Sequence, residues 1–414
     1  MTESFSEFLV AQRTRARSLG CHLDAFAADR MQQGYAASTT MQHVRLAADL
    51  GCWLAGRKLS LADLDERLAV RFLACRRRRL RTNRTNEGAL RALLVSLRAA
   101  GIVPPAGASE IKVGSIGSLE YAFRRYLVQE RGLHASTCAN YVRVVRGLLW
   151  RGPGHEAERP KALGSEDVRR FVLRQARAGG PGRMQAMAAG LRTFLRWLHV
   201  EGKTEADLAG CVPAVAGWRL TTLPKSIPSE EVECLLRRCN RRIAVGQRDY
   251  AILLLLARLG LRGGEVVGMD LDDLDWERGE IVVRGKGGRR DRLPLPRDVG
   301  AAIAAYLRRG RPTSSSRRVF LRARAPHRGF ANSVAICMIV ARALRRARLD
   351  PPRRGAHLLR HSLACTMLRR GASLAEIGDV LRHSSPDTTA IYAKVDVATL
   401  RALAPAWPAD RGAA

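Results

Sequence analysis

Four side chains near the end of the chain, His357, Arg360, His383 and Tyr392, have the types and spacing for chemistry. His357 and Arg360 lie three apart in an apolar-periodic run, which puts both on one face of a helix. An imidazole takes and gives protons near neutral pH. A guanidinium binds oxyanions with directional donors. A phenol is a nucleophile once its proton has an acceptor. Set together, these groups suit attack on a phosphate ester, whose non-bridging oxygens gather negative charge as the bond forms.

Three short helices must deliver them. Gly371-Ala372-Ser373 stops the first helix and caps the second. The second is expected to end at His383. Ser385 caps a third, with Pro386 at its first position and Tyr392 about two turns in. Upstream, Tyr250 to Leu259 reads as a strongly apolar core helix that breaks at Gly260. Leu261-Arg262-Gly263-Gly264-Glu265-Val266-Val267 follows. A buried guanidinium at Arg262 needs a partner, and Glu265, three residues on, is placed to orient it. Next, Glu280–Arg284 and Asp291–Leu295 read as a hairpin around Gly285-Lys286-Gly287-Gly288. Lysine is scarce in this chain, and Lys286 is the only one between residues 226 and 393. An arginine there would be a poor proton donor, whereas a lysine can be tuned.

The whole chain carries a formal net charge of +33 over 414 residues, with a pI near 11.3. Such a charge implies a polyanionic partner, with nucleic acid first and a membrane surface second. No run of about 18 apolar residues occurs and no signal peptide opens the chain, so no membrane role is expected. The nine cysteines are scattered, odd in number and without a C-x-x-C pair. They read as reduced core thiols of a cytoplasmic protein, with neither disulfides nor a zinc site.

Residues 1–103 look all-helical. Arg76, Arg77, Arg78, Arg79, Arg81 and Arg84 interrupt them in a basic stretch read as a contact to the DNA backbone. Pro104 to Ser109 reads as a linker. Residues 117–205 are helical again and resemble a second copy at an offset near one hundred. Gly34-x-x-Ala37-Ser38-Thr39 matches Gly132-x-x-Ala135-Ser136-Thr137. Ala89-Leu90-Arg91 and Gly101 match Gly190-Leu191-Arg192 and Gly202. A linker with Pro213, Pro224 and Pro228 leads to a helix from Ser229. Three domains are therefore expected, at residues 1–103, 117–211 and 226–414.

H-x-x-R, then L-x-H, then a tyrosine nine residues on, resembles the C-terminal signature of the tyrosine recombinases, the phage-integrase family. Gly260-Leu261-Arg262 with Glu265 resembles its first box. Residues 117–211 resemble its SAM-like core-binding domain. The resemblance covers about residues 117–400. It implies a mainly α fold: helical core-binding bundles, then a mostly helical catalytic domain with a small antiparallel sheet. It implies Tyr392 as nucleophile through a 3′-phosphotyrosyl intermediate. Arg262 and Arg360 would clamp the phosphate, His357 would be the base, Lys286 the general acid and His383 a donor to a non-bridging oxygen. His361 is left as a histidine that is either structural or supports the catalytic groups from behind. Arg382, where the family often has glycine, either adds a phosphate contact or tolerates the bend. No metal, nucleotide or other cofactor is expected. The implied partners are double-stranded DNA and further copies of the chain, as a tetramer on two duplexes; a partner recombinase could engage the N-terminal copy. The extra N-terminal copy favours a mobile-element integrase or transposase. A type IB topoisomerase-like enzyme and an inactive DNA-binding relative are the alternatives.

Overall fold

The structure is a computed structural model; it describes residues 5–77, 84–105, 116–149, 163–177, 179–216, 223–285, 288–395 and 401. The chain divides into two compact units, Met1–Val103 with Thr222–Ala414, and Pro104–Thr221. Residues 1–103 and the region from 226 onward thus share a unit, although each builds its own hydrophobic core.

The N-terminal part of the first unit is a bundle of α1 (Phe5–Ala16), α2 (Leu23–Gln32), α3 (Ala37–Ala55), α4 (Glu66–Arg77) and α5 (Arg84–Ala99). Phe8, Phe26, Leu46, Leu50, Phe72, Leu90 and Leu94 fill its centre. Their helical spacing gives the helices a buried apolar stripe, while Arg30 is buried and Arg76 pairs with Asp49 inside the bundle. The second unit holds α6 (Ile116–Gln129), α7 (Ala135–Leu149), α8 (Ser165–Ala176) and α9 (Pro181–Val200) around Phe123, Phe171, Phe194 and Trp197. Both bundles enter a helix after a glycine in the left-handed region, Gly34 before α3 and Gly132 before α7. Both also end one on such a glycine, Gly101 after α5 and Gly202 after α9. The main-chain bonds at the two ends correspond. Gly101 N donates to Arg98 O and Ile102 N to Leu97 O; Gly202 N donates to His199 O and Lys203 N to Leu198 O.

The C-terminal part of the first unit starts with α10 (Ser229–Arg237) and α11 (Ala244–Arg258). The run Ile252 to Leu256 is buried on every side. A helix apolar all round belongs in a core, and each such side chain stabilises by roughly 1.5–3 kcal/mol relative to exposure. After it come the short α12 (Gly263–Gly268) and a three-stranded antiparallel sheet, β1 (Leu274–Asp275), β2 (Glu280–Arg284) and β3 (Arg290–Pro294), in that order. Ile281 pairs with Leu293 and Arg284 with Arg290. Then follow α13 (Arg297–Arg309), α14 (Val334–Ala347), α15 (Ala356–Arg369), α16 (Leu374–Leu381) and α17 (Pro386–Thr389).

Among the described residues no helix is long and apolar enough to cross a membrane. All nine cysteines are free, but only Cys138, Cys239 and Cys365 are buried; Cys21 and Cys211 are exposed. The expectation of uniformly core thiols is corrected accordingly, since cysteine position in the sequence carries no burial signal without its helix face.

Candidate active site

α15 presents the signature. Gly355 supplies the extended residue that opens it, and His357, Arg360 and His361 follow within two turns. Ser362, on the buried side, accepts the main-chain N–H of Ile227 at 2.9 Å and ties the incoming segment to this helix. Arg360 is 3% exposed. Its guanidinium donates to the carbonyl oxygens of Gly260, just beyond α11, and Leu381, the last residue of α16. Gly260 sits at φ +58, and a Cβ there would lie 2.6 Å from Leu381. Glycine is therefore needed for the carbonyl to reach Arg360. Burial and the nearby Arg262 and Arg382 charges lower the Arg360 pKa to about 10, so it stays charged at neutral pH.

Arg262 stands at the start of α12, 37% exposed, beside a Glu265 side chain that is 5% exposed. Its Nη1 donates to Glu265 Oε1 at 2.8 Å and its main-chain N–H to Oε2 at 2.8 Å. Glu265 thus fixes the guanidinium from within the same short helix. Gly263 lets this helix approach closely, since a Cβ there would meet Ser333, Ala356 and Ile336 at 3.3–3.6 Å.

α16 is opened by a capping box in which Ser373 and Glu376 exchange bonds. It ends at Leu381, two residues before the expected His383, because Arg382 turns left-handed at φ +55. Ser385 then caps α17 by accepting from Asp387 N. α17 is one turn long, and Ala390–Val395 continues as a tighter 3₁₀ turn. Such turns are common at helix ends, so Tyr392 sits in that turn and not in a second α-helical turn.

Tyr392 is 1% exposed. Its Oη lies 2.9 Å from Nδ1 of His361. The His383 ring lies parallel to the phenol ring, 3° apart in plane and 6.5 Å between centres. His383 Nδ1 is 2.7 Å from Thr389 Oγ1. Burial pushes the Tyr392 hydroxyl up to about 12, with Arg360 opposing. Burial, then His357, Arg360 and Arg353, bring His361 down to about 4. Burial, then Arg360 and Arg262, bring His383 to about 4. His357 is lowered too, by desolvation from the protein around it and by Arg360, Arg262 and Arg353. At neutral pH the site therefore holds a neutral phenol, neutral imidazoles and charged guanidiniums. Among the described residues no group of three His, Cys, Asp or Glu is spaced to hold a metal ion.

A model of the phage integrase family matches residues 225–399. An integrase/recombinase of Sinorhizobium fredii, y4rA, is 42% identical over 93% of this chain and 93% of its own. The chain belongs to the phage integrase family, the tyrosine recombinases. The tyrosine recombinase XerD of Mycobacterium tuberculosis is 33% identical over 67% of the chain and 92% of its own. Two solved structures share the fold. The XerH recombinase in a post-cleavage complex with a palindromic difH substrate matches with a TM-score of 0.53 and 17% identity, over 70% of this chain and 85% of that one. A lambda integrase tetramer bound to a Holliday junction matches at 0.50 and 14%, over 76% and 88%.

The structure brings together Arg262, Glu265, Arg360, His383 and Tyr392, with His357 one turn from His361 at 6.3 Å between rings. Lys286 lies outside the described residues. β2 and β3, which flank it, are held by Arg284 on Asp270 and Asp273 at 3.0 and 2.7 Å, and Gly285 N donates to Arg289 O. Of the six N-terminal arginines, Arg76 is half-buried and paired inside the bundle with Asp49, so it does not face outward as expected. Arg78, Arg79 and Arg81 lie outside the described residues, as do the side chains of Arg77 and Arg84. Two residues gain importance. His361, read as either structural or supporting, is the hydrogen-bond partner of the tyrosine. Arg382 turns inward, its side chain 4% exposed, and donates to Glu265 Oε2 at 2.9 Å. It is a buried partner of Glu265 and not an outward phosphate contact. The H-x-x-R-H pattern was the only sequence signal for His361, and a left-handed arginine after Leu381 left none for Arg382.

Proposed function

We propose that this recombinase cuts and rejoins DNA by attack of Tyr392 on a phosphodiester, giving a 3′-phosphotyrosyl link and a free 5′-hydroxyl. The observation that carries it is the Tyr392 phenol held on an imidazole of the same helix that bears Arg360. Arg262 and Arg360 clamp the non-bridging oxygens. Arg360 spends part of its five N–H groups on two carbonyls, which aims the rest. His383 takes Thr389 on Nδ1, leaving Nε2 to donate to an oxygen. Lys286 gives the leaving 5′-oxygen its proton. Cationic side chains supply the charge stabilisation, so we assign no metal and no nucleotide. Strand exchange then occurs in a tetramer on two duplexes, in the cytoplasm.

The matching glycines and helix ends at 34 and 132 and at 101 and 202 support residues 1–103 as a duplicate of the core-binding bundle at 117–211, ahead of a catalytic domain at 226–414. The basic stretch at Arg77–Arg84 is the N-terminal DNA contact in this proposal. The experiment is strand exchange between two marked duplexes bearing the element's ends, in excess EDTA without nucleotide. Exchange supports the proposal. Relaxation of supercoils without exchange would instead mark a topoisomerase-like enzyme.

A further inference from the structure

We propose that His361 is the residue that takes the phenolic proton when Tyr392 attacks, a role that rests on Tyr392 being the nucleophile. The bond at 2.9 Å between His361 Nδ1 and Tyr392 Oη is within proton-transfer reach. No comparable bond joins the hydroxyl to His357 or His383 among the described residues. His357 lies one helical turn away; Arg360 acts on both imidazoles, but Arg262 acts on His357 and not on His361, which puts His357 at the anion-binding end of the site. His383 spends Nδ1 on Thr389 and meets the phenol with its ring face.

With its proton on Nε2, His361 accepts from the phenol at Nδ1. As the Tyr392 oxygen bonds to phosphorus, the bond from phosphorus to the 5′-oxygen breaks. The phenolic proton moves to Nδ1, and the 5′-oxygen takes a proton from the general acid. Nothing is oxidised or reduced, and religation returns the proton to Tyr392. The groups facing this pair are Arg353, His357, Arg360 and Cys365 from the α15 side, and His383 from the turn after α16. Burial first, then His357, Arg360 and Arg353, hold His361 neutral, and burial keeps the Tyr392 hydroxyl protonated against the pull of Arg360. A phosphodiester bound to Arg262 and Arg360 cancels part of the Arg360 field and makes His361 a better acceptor.

The test measures covalent adduct formation on a nicked suicide duplex, from pH 6 to 9, with the full chain. His361→Gln keeps a hydrogen-bond acceptor but takes no proton. The expected result is wild-type duplex binding, adduct formation slowed by roughly 10²–10⁴-fold near pH 7, and a rate rising about tenfold per pH unit as hydroxide replaces the base. The wild-type rate should stay nearly flat. A His361→Gln rate equal to wild type, or one that is slow but flat with pH, overturns the role. Should that variant bind duplex poorly, His361→Ala with added imidazole decides. Rescue supports the role, and absence of rescue in a variant that binds duplex overturns it. Tyr392→Phe run in parallel separates the two ideas. Adduct in Tyr392→Phe would remove the nucleophile assignment itself, whereas its absence beside a flat His361→Gln profile removes only the role of His361.

Discussion

Arg382 and Glu265 meet at 2.9 Å with both side chains almost fully buried, and the same carboxylate holds Arg262 through its other oxygen. One carboxylate thus orients a partly exposed guanidinium, Arg262, and a buried one, Arg382. Arg382 Nε also lies 4.0 Å from Asp291 on β3, which ties the sheet to this centre.

Breaking that buried pair from one side should cost about 3–5 kcal/mol, because the remaining charge stays out of water. Arg382→Ala should show a loss in that range by denaturant titration. Arg382→Gly should lose about 1 kcal/mol less, because glycine adopts the left-handed backbone at φ +55 without the Cβ penalty. Equal loss in the two variants would mean that the backbone there is unstrained.

Stability should fall with acid through the histidines. The folded pKa values of His361 and His383 are about 4, below the ordinary 6.5. Between these values the unfolded chain binds protons that the folded chain refuses. The contribution is therefore intact above 6.5 and lost as pH falls toward 4. Melting temperature should drop over that window, and His361→Phe should shallow the slope. An unchanged slope would show that the imidazole protonates freely in the folded state.

The local parts of the site were legible in the sequence. His357 and Arg360 share a helix face by spacing alone, and Ser373 and Ser385 announce their caps because a cap is a bond between near neighbours. The phenol's partner was not legible. His361 and Tyr392 lie on separate elements, and only the packing of α16 and the Ala390–Val395 turn against α15 selects His361 over His357. Arg382 was equally opaque, since an arginine at a turn is usually solvated and only the tertiary placement of Glu265 draws it inward. Arg76 fails as an outward cation for the same reason, through Asp49 on α3.

Arg360→Lys should slow adduct formation by about 10²–10³-fold with little effect on duplex binding. A lysine cannot hold the Gly260 and Leu381 carbonyls and still present a planar fork to phosphate. Single-turnover cleavage beside a gel-shift titration measures both. Near-normal cleavage would mean that charge alone suffices.

Replacing Arg78, Arg79 and Arg81 together by alanine should lower the slope of log affinity against log salt by up to about 0.9 for each phosphate that these side chains neutralise. An unchanged slope would assign the stretch to protein contacts or to solvent.

The central claim is tested most directly by mapping the covalent link. The full chain would be trapped on a nicked suicide duplex, digested, and the DNA-bearing peptide sequenced by mass spectrometry. The expected product joins the 3′-phosphate to the oxygen of Tyr392 and leaves a free 5′-hydroxyl. A link through any other residue, or through a 5′-phosphate, would contradict the account.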